Sequence, residues 1–149
     1  MSKYKKEEIS LSLKVFIGLS RVHRALMNIS NESAQENELN PTEFAVLELL
    51  YHKGSQPLQQ IGEKILIASG SITYVVDKLE KKGLVLRRPC TYDRRVIFAD
   101  LTTEGTKLME TIFPIHEVKL HESLAMLTAA EKEQLLQLLK KVGKYYARM

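Results

Sequence analysis

Residues 68–105 read ASGSITYVVDKLEKKGLVLRRPCTYDRRVIFADLTTEG, and the hydrophobic period changes once within them. Between Ser69 and Lys82, the residues Ile72, Val75, Val76 and Leu79 recur at spacings of three and four, which gives a helix one buried face. Gly83 supplies its C-terminal stop. Beyond it, LVLRRP and VIFADL are β-branched or aliphatic runs joined by a charged connector, a pattern that predicts a small hairpin. LTTEG then opens another helix with Thr102 as its N-cap.

Working outward toward the N-terminus, QPLQQIGEKIL places Leu58, Ile61 and Ile65 on one face behind Pro57, so a short helix precedes a turn through Ile67 and Ala68. NPTEF starts a further helix with Asn40 as N-cap, Pro41 at the first helical position and Glu43 at the third. Phe44, Leu47, Leu50 and Tyr51 form its apolar stripe, and Gly54 ends it. Ahead of a polar connection from Asn28 to Asn40, Leu11, Val15, Leu19, Val22, Leu26 and Ile29 mark a long amphipathic helix. On the C-terminal side, Pro114 is expected to kink or break the helix opened by Thr102. A Thr128-x-x-Glu131 capping box begins the last helix, which continues through Leu135, Leu138, Leu139, Val142, Tyr145 and Tyr146. The expected fold class is mainly α with a small β-hairpin wing, organised as a single domain over 1–149.

The 149 residues, 44% hydrophobic, suffice for one ordinary core. One cysteine forms no internal disulfide, there is no export signal, and no apolar run approaches the length needed to cross a bilayer, so the expected location is the cytoplasm with no membrane partner. The net charge of +4 is unevenly distributed. From Lys78 to Arg95 there are seven basic residues against two acidic ones, leaving the remainder near neutral and pointing to a surface that meets an anion.

Two short helices followed by a hairpin form a winged helix-turn-helix. With Ile72, Val76 and Leu79 inward, the other side of the second helix presents Ser69, Ser71, Thr73, Tyr74 and Lys78, all able to reach phosphates or base edges. A helix of this length is about 20 Å long and fits the major groove. Arg94 and Arg95 lie at the hairpin tip, where guanidinium groups can enter the minor groove, and Asp93 can pair with one and fix its direction. Arg87 and Arg88, on the strand leading to the tip, serve phosphates or simply solvent. The rival readings are a protein-contact module and a non-specific architectural DNA binder. An enzyme finds no support: the chain has no phosphate-cradling glycine loop, nucleophile elbow or metal motif.

The run Leu79-Glu80-Lys81-Lys82-Gly83-Leu84, then Asp93-Arg94-Arg95, then Leu101-Thr102 resembles the signature of the MarR family of bacterial transcriptional regulators. The resemblance implies a winged lobe over about 41–101 and dimerisation helices over about 8–35 and 102–149. It also implies a homodimer on a double-stranded, pseudo-palindromic operator, with repression relieved by a small phenolic or aromatic effector or by electrophile or oxidant stress, and no cofactor. Phe16, His23, Phe44 and Tyr51 are candidates to line an effector pocket, although the same residues would also make a plain core. The family's peroxide-sensing branch carries its cysteine in the first helix, where this chain has none. Cys90 is either a redox sensor activated by Arg87 and Arg88 or a small residue filling a strand end. His116 and His121 are five apart, off the spacing that puts two imidazoles on one helix face, so no metal site is expected.

Overall fold

The computed structural model describes residues 3–65 and 69–145; the expected turn at Ile67 and Ala68, and Tyr146, lie outside these. The chain runs α1 (Lys6–Gln35), α2 (Pro41–Lys53), β1 (Gln56–Pro57), α3 (Leu58–Lys64), α4 (Ser69–Lys81), β2 (Val85–Pro89), β3 (Ile97–Leu101), α5 (Thr103–Ser123) and α6 (Ala129–Tyr145). Among the described residues, no helix is long and apolar enough to cross a membrane.

Local chemistry sets the boundaries. Asn40 Oδ1 accepts from the Glu43 amide at 2.8 Å while Glu43 Oε1 accepts from the Asn40 amide at 3.2 Å, a reciprocal cap that starts α2. Glu43 is otherwise buried, and its second carboxylate oxygen meets Lys82 Nζ at 2.7 Å. Lys82 also donates to the Glu38 carbonyl at 2.8 Å, tying the α1–α2 turn to the end of α4. Gly54 and Gly83 end α2 and α4 at φ of 74° and 73°, in the left-handed region that side chains disfavour.

Three features differ from the sequence expectation. The hairpin of β2 and β3 is joined by β1, in the order β1-β3-β2, with Gln56 opposite Ala99 and Pro57 opposite Phe98. A two-residue strand leaves no periodic trace, and proline is tolerated there because the strand lies at a sheet edge. Helix α1 also continues through the polar run to Gln35, because Ser33 and Ala34 are buried against the body. Helix α5 passes unbroken through Pro114.

The core gathers Phe44, Val46, Leu47 and Leu50 of α2 with Ile61, Ile72, Val75, Val76 and Leu79 of α3 and α4. Val85 and Ala99 close it from the sheet, and Met109 and Ile112 from α5. Helix α1 is about 45 Å long at 1.5 Å per residue, and it touches this body only near its C-terminal end. Leu11, Val15, Phe16, Leu19 and Val22 are exposed, as are Leu135, Leu136, Leu138 and Val142 of α6. The apolar stripe read from the α1 sequence is therefore largely bare within one chain.

Candidate nucleic-acid interface

Burial of Ile72, Val75, Val76 and Leu79 turns the opposite face of α4 outward, so Ser71, Thr73 and Tyr74 are exposed. Lys78 Nζ stands 4.8 Å from the Tyr74 ring centroid, a cation–π contact that holds the cation beside the phenol. Ser69 begins the helix, but its side chain lies outside the described residues.

The four arginines of the hairpin divide into three environments. Arg87 lies on β2 opposite Ala99 and turns toward α4. Its Nη2 meets Asp77 Oδ1 at 2.7 Å and the Thr73 carbonyl at 3.1 Å, its Nη1 meets Glu80 Oε2 at 2.7 Å, and its amide donates to Glu80 Oε1 at 2.8 Å. This guanidinium is engaged within the chain, and it fastens the hairpin to the helix. Arg88 faces away: its Nε meets Asp100 Oδ2 at 3.0 Å, its Nη2 donates to Ser55 Oγ at 3.0 Å, and it lies 5.0 Å over Phe98. Partial burial raises the Asp100 pKa, but bonds from Ser55 and Arg88 outweigh it and hold the carboxyl below its usual value.

At the tip, the Cys90 amide donates to the Val96 carbonyl at 3.0 Å and the Val96 amide to the Asp93 carbonyl at 3.1 Å, closing the turn. Asp93 Oδ1 accepts from the Arg95 amide at 3.0 Å and from Arg95 Nε at 3.1 Å, with Oδ2 3.3 Å from Nη2. These bonds from Arg95 hold the Asp93 carboxyl below its ordinary pKa. Asp93 thus holds Arg95, while Arg94 is exposed and has no ion-pair or hydrogen-bond partner among the described residues. Cys90 is partly exposed, and both arginines upstream of it are directed at carboxylates.

Between α3, α4 and the hairpin lies an open groove of about 710 Å³, lined among others by Gln59, Gln60, Glu63, Thr73 and Arg95. Gln59 and Gln60 are the side chains that sequence reasoning missed here. Being polar and uncharged on a short helix, they carried no signal until the hairpin was placed beside them.

One chain does not bring the four candidate pocket residues together. Phe16, 66% exposed, and His23 lie on the bare part of α1, whereas Phe44 is 2% exposed in the core. Phe44 and Tyr51 instead join an aromatic cluster with His52, Phe113 and His116. Phe44 to His116 is 4.9 Å, His52 to Phe113 is 4.4 Å and Tyr51 to Phe113 is 5.8 Å between centroids. The three-residue spacing of Phe113 and His116, with Pro114 between them, is the sequence signal for this cluster. Among the described residues, no three His, Cys, Asp or Glu side chains gather as metal ligands.

His116 is buried, and its Nδ1 lies 3.2 Å from Ser33 Oγ, joining α5 to α1. Burial pushes its pKa below the usual 6.5, Lys119 acts in the same direction, and Glu48 opposes them. As pH falls below 6.5, the unfolded imidazole takes up a proton that the folded one resists, so stability declines with acidification. Urea-unfolding midpoints measured from pH 8 to 5.5 should fall in the native chain and fall less steeply in His116→Gln.

Comparison with known proteins accords with this geometry. The model of the MarR family matches residues 39–97. The HTH-type transcriptional regulator MhqR of Bacillus subtilis (strain 168) is 55% identical over 132 residues, covering 89% of this chain and 91% of that protein. YkoM, described as an HTH-type transcriptional regulator of the same organism, is 39% identical over 140 residues, covering 94% and 91%. The solved structure of NadR in complex with 4-hydroxyphenylacetate superimposes with a TM-score of 0.77 at 26% identity, covering 97% of this chain and 96% of that one.

Proposed function

This chain belongs to the MarR family of winged helix-turn-helix transcriptional regulators, and from that membership we propose that it is a homodimeric repressor released from its operator by a small phenolic or aromatic ligand. Such regulators bind DNA and are not enzymes. The observation that carries the repressor's DNA contact is the polar face of α4 beside a tip that displays Arg94 and directs Arg95. Ser71, Thr73, Tyr74 and Lys78 are assigned to the major groove, Arg94 and Arg95 to the minor groove, and Ser69 to the flanking backbone.

The dimer rests on the bare stripes of α1 and α6, where large apolar side chains such as Leu11, Phe16, Leu138 and Val142 stand in water within one chain. Two copies related by a two-fold axis would set their α4 helices on half-sites about 34 Å apart. The ligand class rests on the aromatic and histidine cluster of α2 and α5, and on the similarity to NadR, whose bound molecule is a phenolic acid. A second reading, in which an electrophile acts on Cys90, is favoured by the partial exposure of that thiol at the foot of the wing turn.

The test is selection of duplexes from random-sequence DNA by the purified protein, followed by titration with phenolic acids and with quinones. A repressor prefers its selected sequence by about 10³ or more at fixed salt, whereas an architectural binder does not. Release by phenolic acids supports the ligand reading. Release by quinones that disappears in Cys90→Ser supports the second.

A further inference from the structure

At the wing tip, Tyr92 is 98% exposed, the highest value among the large apolar side chains of the described residues, so its ring is almost wholly in solvent. It does not hang on a loose loop. The turn that carries it is closed on one side by the bond from the Cys90 amide to Val96 and on the other by the bond from Val96 to Asp93. The only acidic group in the turn, Asp93, is occupied by Arg95. Tyr92 therefore stands on a braced support between the strand end at Pro89 and Arg94, which is unpaired among the described residues.

We infer that Tyr92 is a specificity-determining residue that reads the minor groove beside the contact made by α4, favouring A·T over G·C at the base pair it faces. The inference rests on the DNA-binding reading above. The minor groove is about 6 Å wide, so an aromatic ring enters edge-on, its faces against the deoxyribose walls. A·T pairs offer only acceptors there, adenine N3 and thymine O2, and a phenol hydroxyl can donate to them. A G·C pair adds the guanine 2-amino group, which occupies that space and is itself a donor. Arg94 supplies attraction to the narrow groove but no distinction between its floor atoms, so charge and selectivity fall on adjacent residues.

The test uses the full-length protein and a duplex selected from random-sequence DNA. At the outer base pairs of each half-site, A·T is replaced by G·C or by inosine·C, which keeps an A·T-like minor groove while altering the major groove. The native protein should bind the A·T and inosine·C duplexes within about twofold and the G·C duplex about tenfold more weakly. Tyr92→Ala should lower affinity about tenfold and erase the discrimination. Tyr92→Phe should keep much of the affinity and lose the part of the discrimination that the hydroxyl's hydrogen bond supplies, keeping the steric part. The salt dependence should be unchanged in both variants, because neither alters charge, whereas Arg94→Ala should lower the salt slope by about one. Because the side chain is almost wholly exposed, thermal midpoints should match the native value. If Tyr92→Ala binds all three duplexes as the native protein does, or if inosine·C is rejected along with G·C, the inference is overturned. Failure of the native protein to select any sequence would instead overturn the underlying DNA-binding reading.

Discussion

Replacing Gly105 by alanine is expected to destabilise the protein by about 3 kcal/mol, a loss that ordinarily accompanies overpacking of a site that cannot yield. A Cβ at Gly105 would run into the carbonyl oxygen of Leu84 and press on the carbonyl carbon at 3.1 Å and Leu101 Cδ2 at 3.2 Å. The obstacle is backbone, and it is fixed from several directions. Leu84 O accepts from the Thr102 amide at 3.0 Å, Thr102 Oγ1 donates to the Gly83 carbonyl at 2.6 Å, and the same hydroxyl caps α5 by accepting from the Gly105 amide at 3.0 Å. Relief requires either α5 or the foot of β2 to move, and both are anchored in the core. Differential scanning calorimetry should show the midpoint falling by roughly 10 °C for a chain of this size. A Gly105→Ala protein that melts within about 2 °C of native would show that this junction is slack.

The second large effect is expected at Arg87. Its truncation to alanine leaves Asp77 and Glu80 without the cation between them and removes the polar tie between β2 and α4, leaving the packing of Val85. Because the guanidinium is only partly buried, we expect operator affinity to fall by about 2 kcal/mol, roughly thirtyfold, rather than the larger loss of a fully buried pair. Arg87→Lys should recover little of this, since one ammonium cannot reproduce a fork that meets two carboxylates and the Thr73 carbonyl. The informative readout is salt. An arginine that neutralises a phosphate lowers the slope of log affinity against log salt by about one when removed, whereas one engaged within the chain leaves it almost unchanged. We expect the unchanged slope for Arg87, and a slope reduced as in Arg94→Ala would return Arg87 to the DNA backbone.

Arg87 also marks the limit of what could be read from the chain alone. The helices were legible because their signals are local: the Asn40–Glu43 cap, the stripe of Ile72, Val75, Val76 and Leu79, and the stops at Gly54 and Gly83 each lie within a turn or two of the element they define. The hairpin was legible from a change of period. The partners of Arg87 were not, because Asp77 and Glu80 face it only after α4 and β2 fold back on each other across Gly83. The sequence separates Arg94 and Arg95 at the tip from Arg87 and Arg88 on the strand, but not Arg87 from Arg88, which differ by their register on the hairpin. The four pocket candidates are not brought together within one chain for a related reason. Phe16 and His23 suit a pocket by residue type, but their helix carries them away from the body that holds Phe44 and Tyr51. The strand β1 was invisible because two residues have no period.

The joint between β3 and α5 has a mechanical consequence. The strand ends at Leu101, the helix begins at Thr103, and Thr102 is bonded to both sides, so no length of chain exists in which the wing could turn independently of α5. Helix and wing form a single crank. From Thr103 to the His116 contact with Ser33 is about 20 Å along the helix axis, and α5 continues through Pro114 without a break. Tilting this arm by about 5° about the His116 end displaces the foot of the wing by about 2 Å, as much as separates a hydrogen-bonded guanidinium from one out of reach. A small repacking where α1, α2 and α5 meet therefore arrives at the tip magnified.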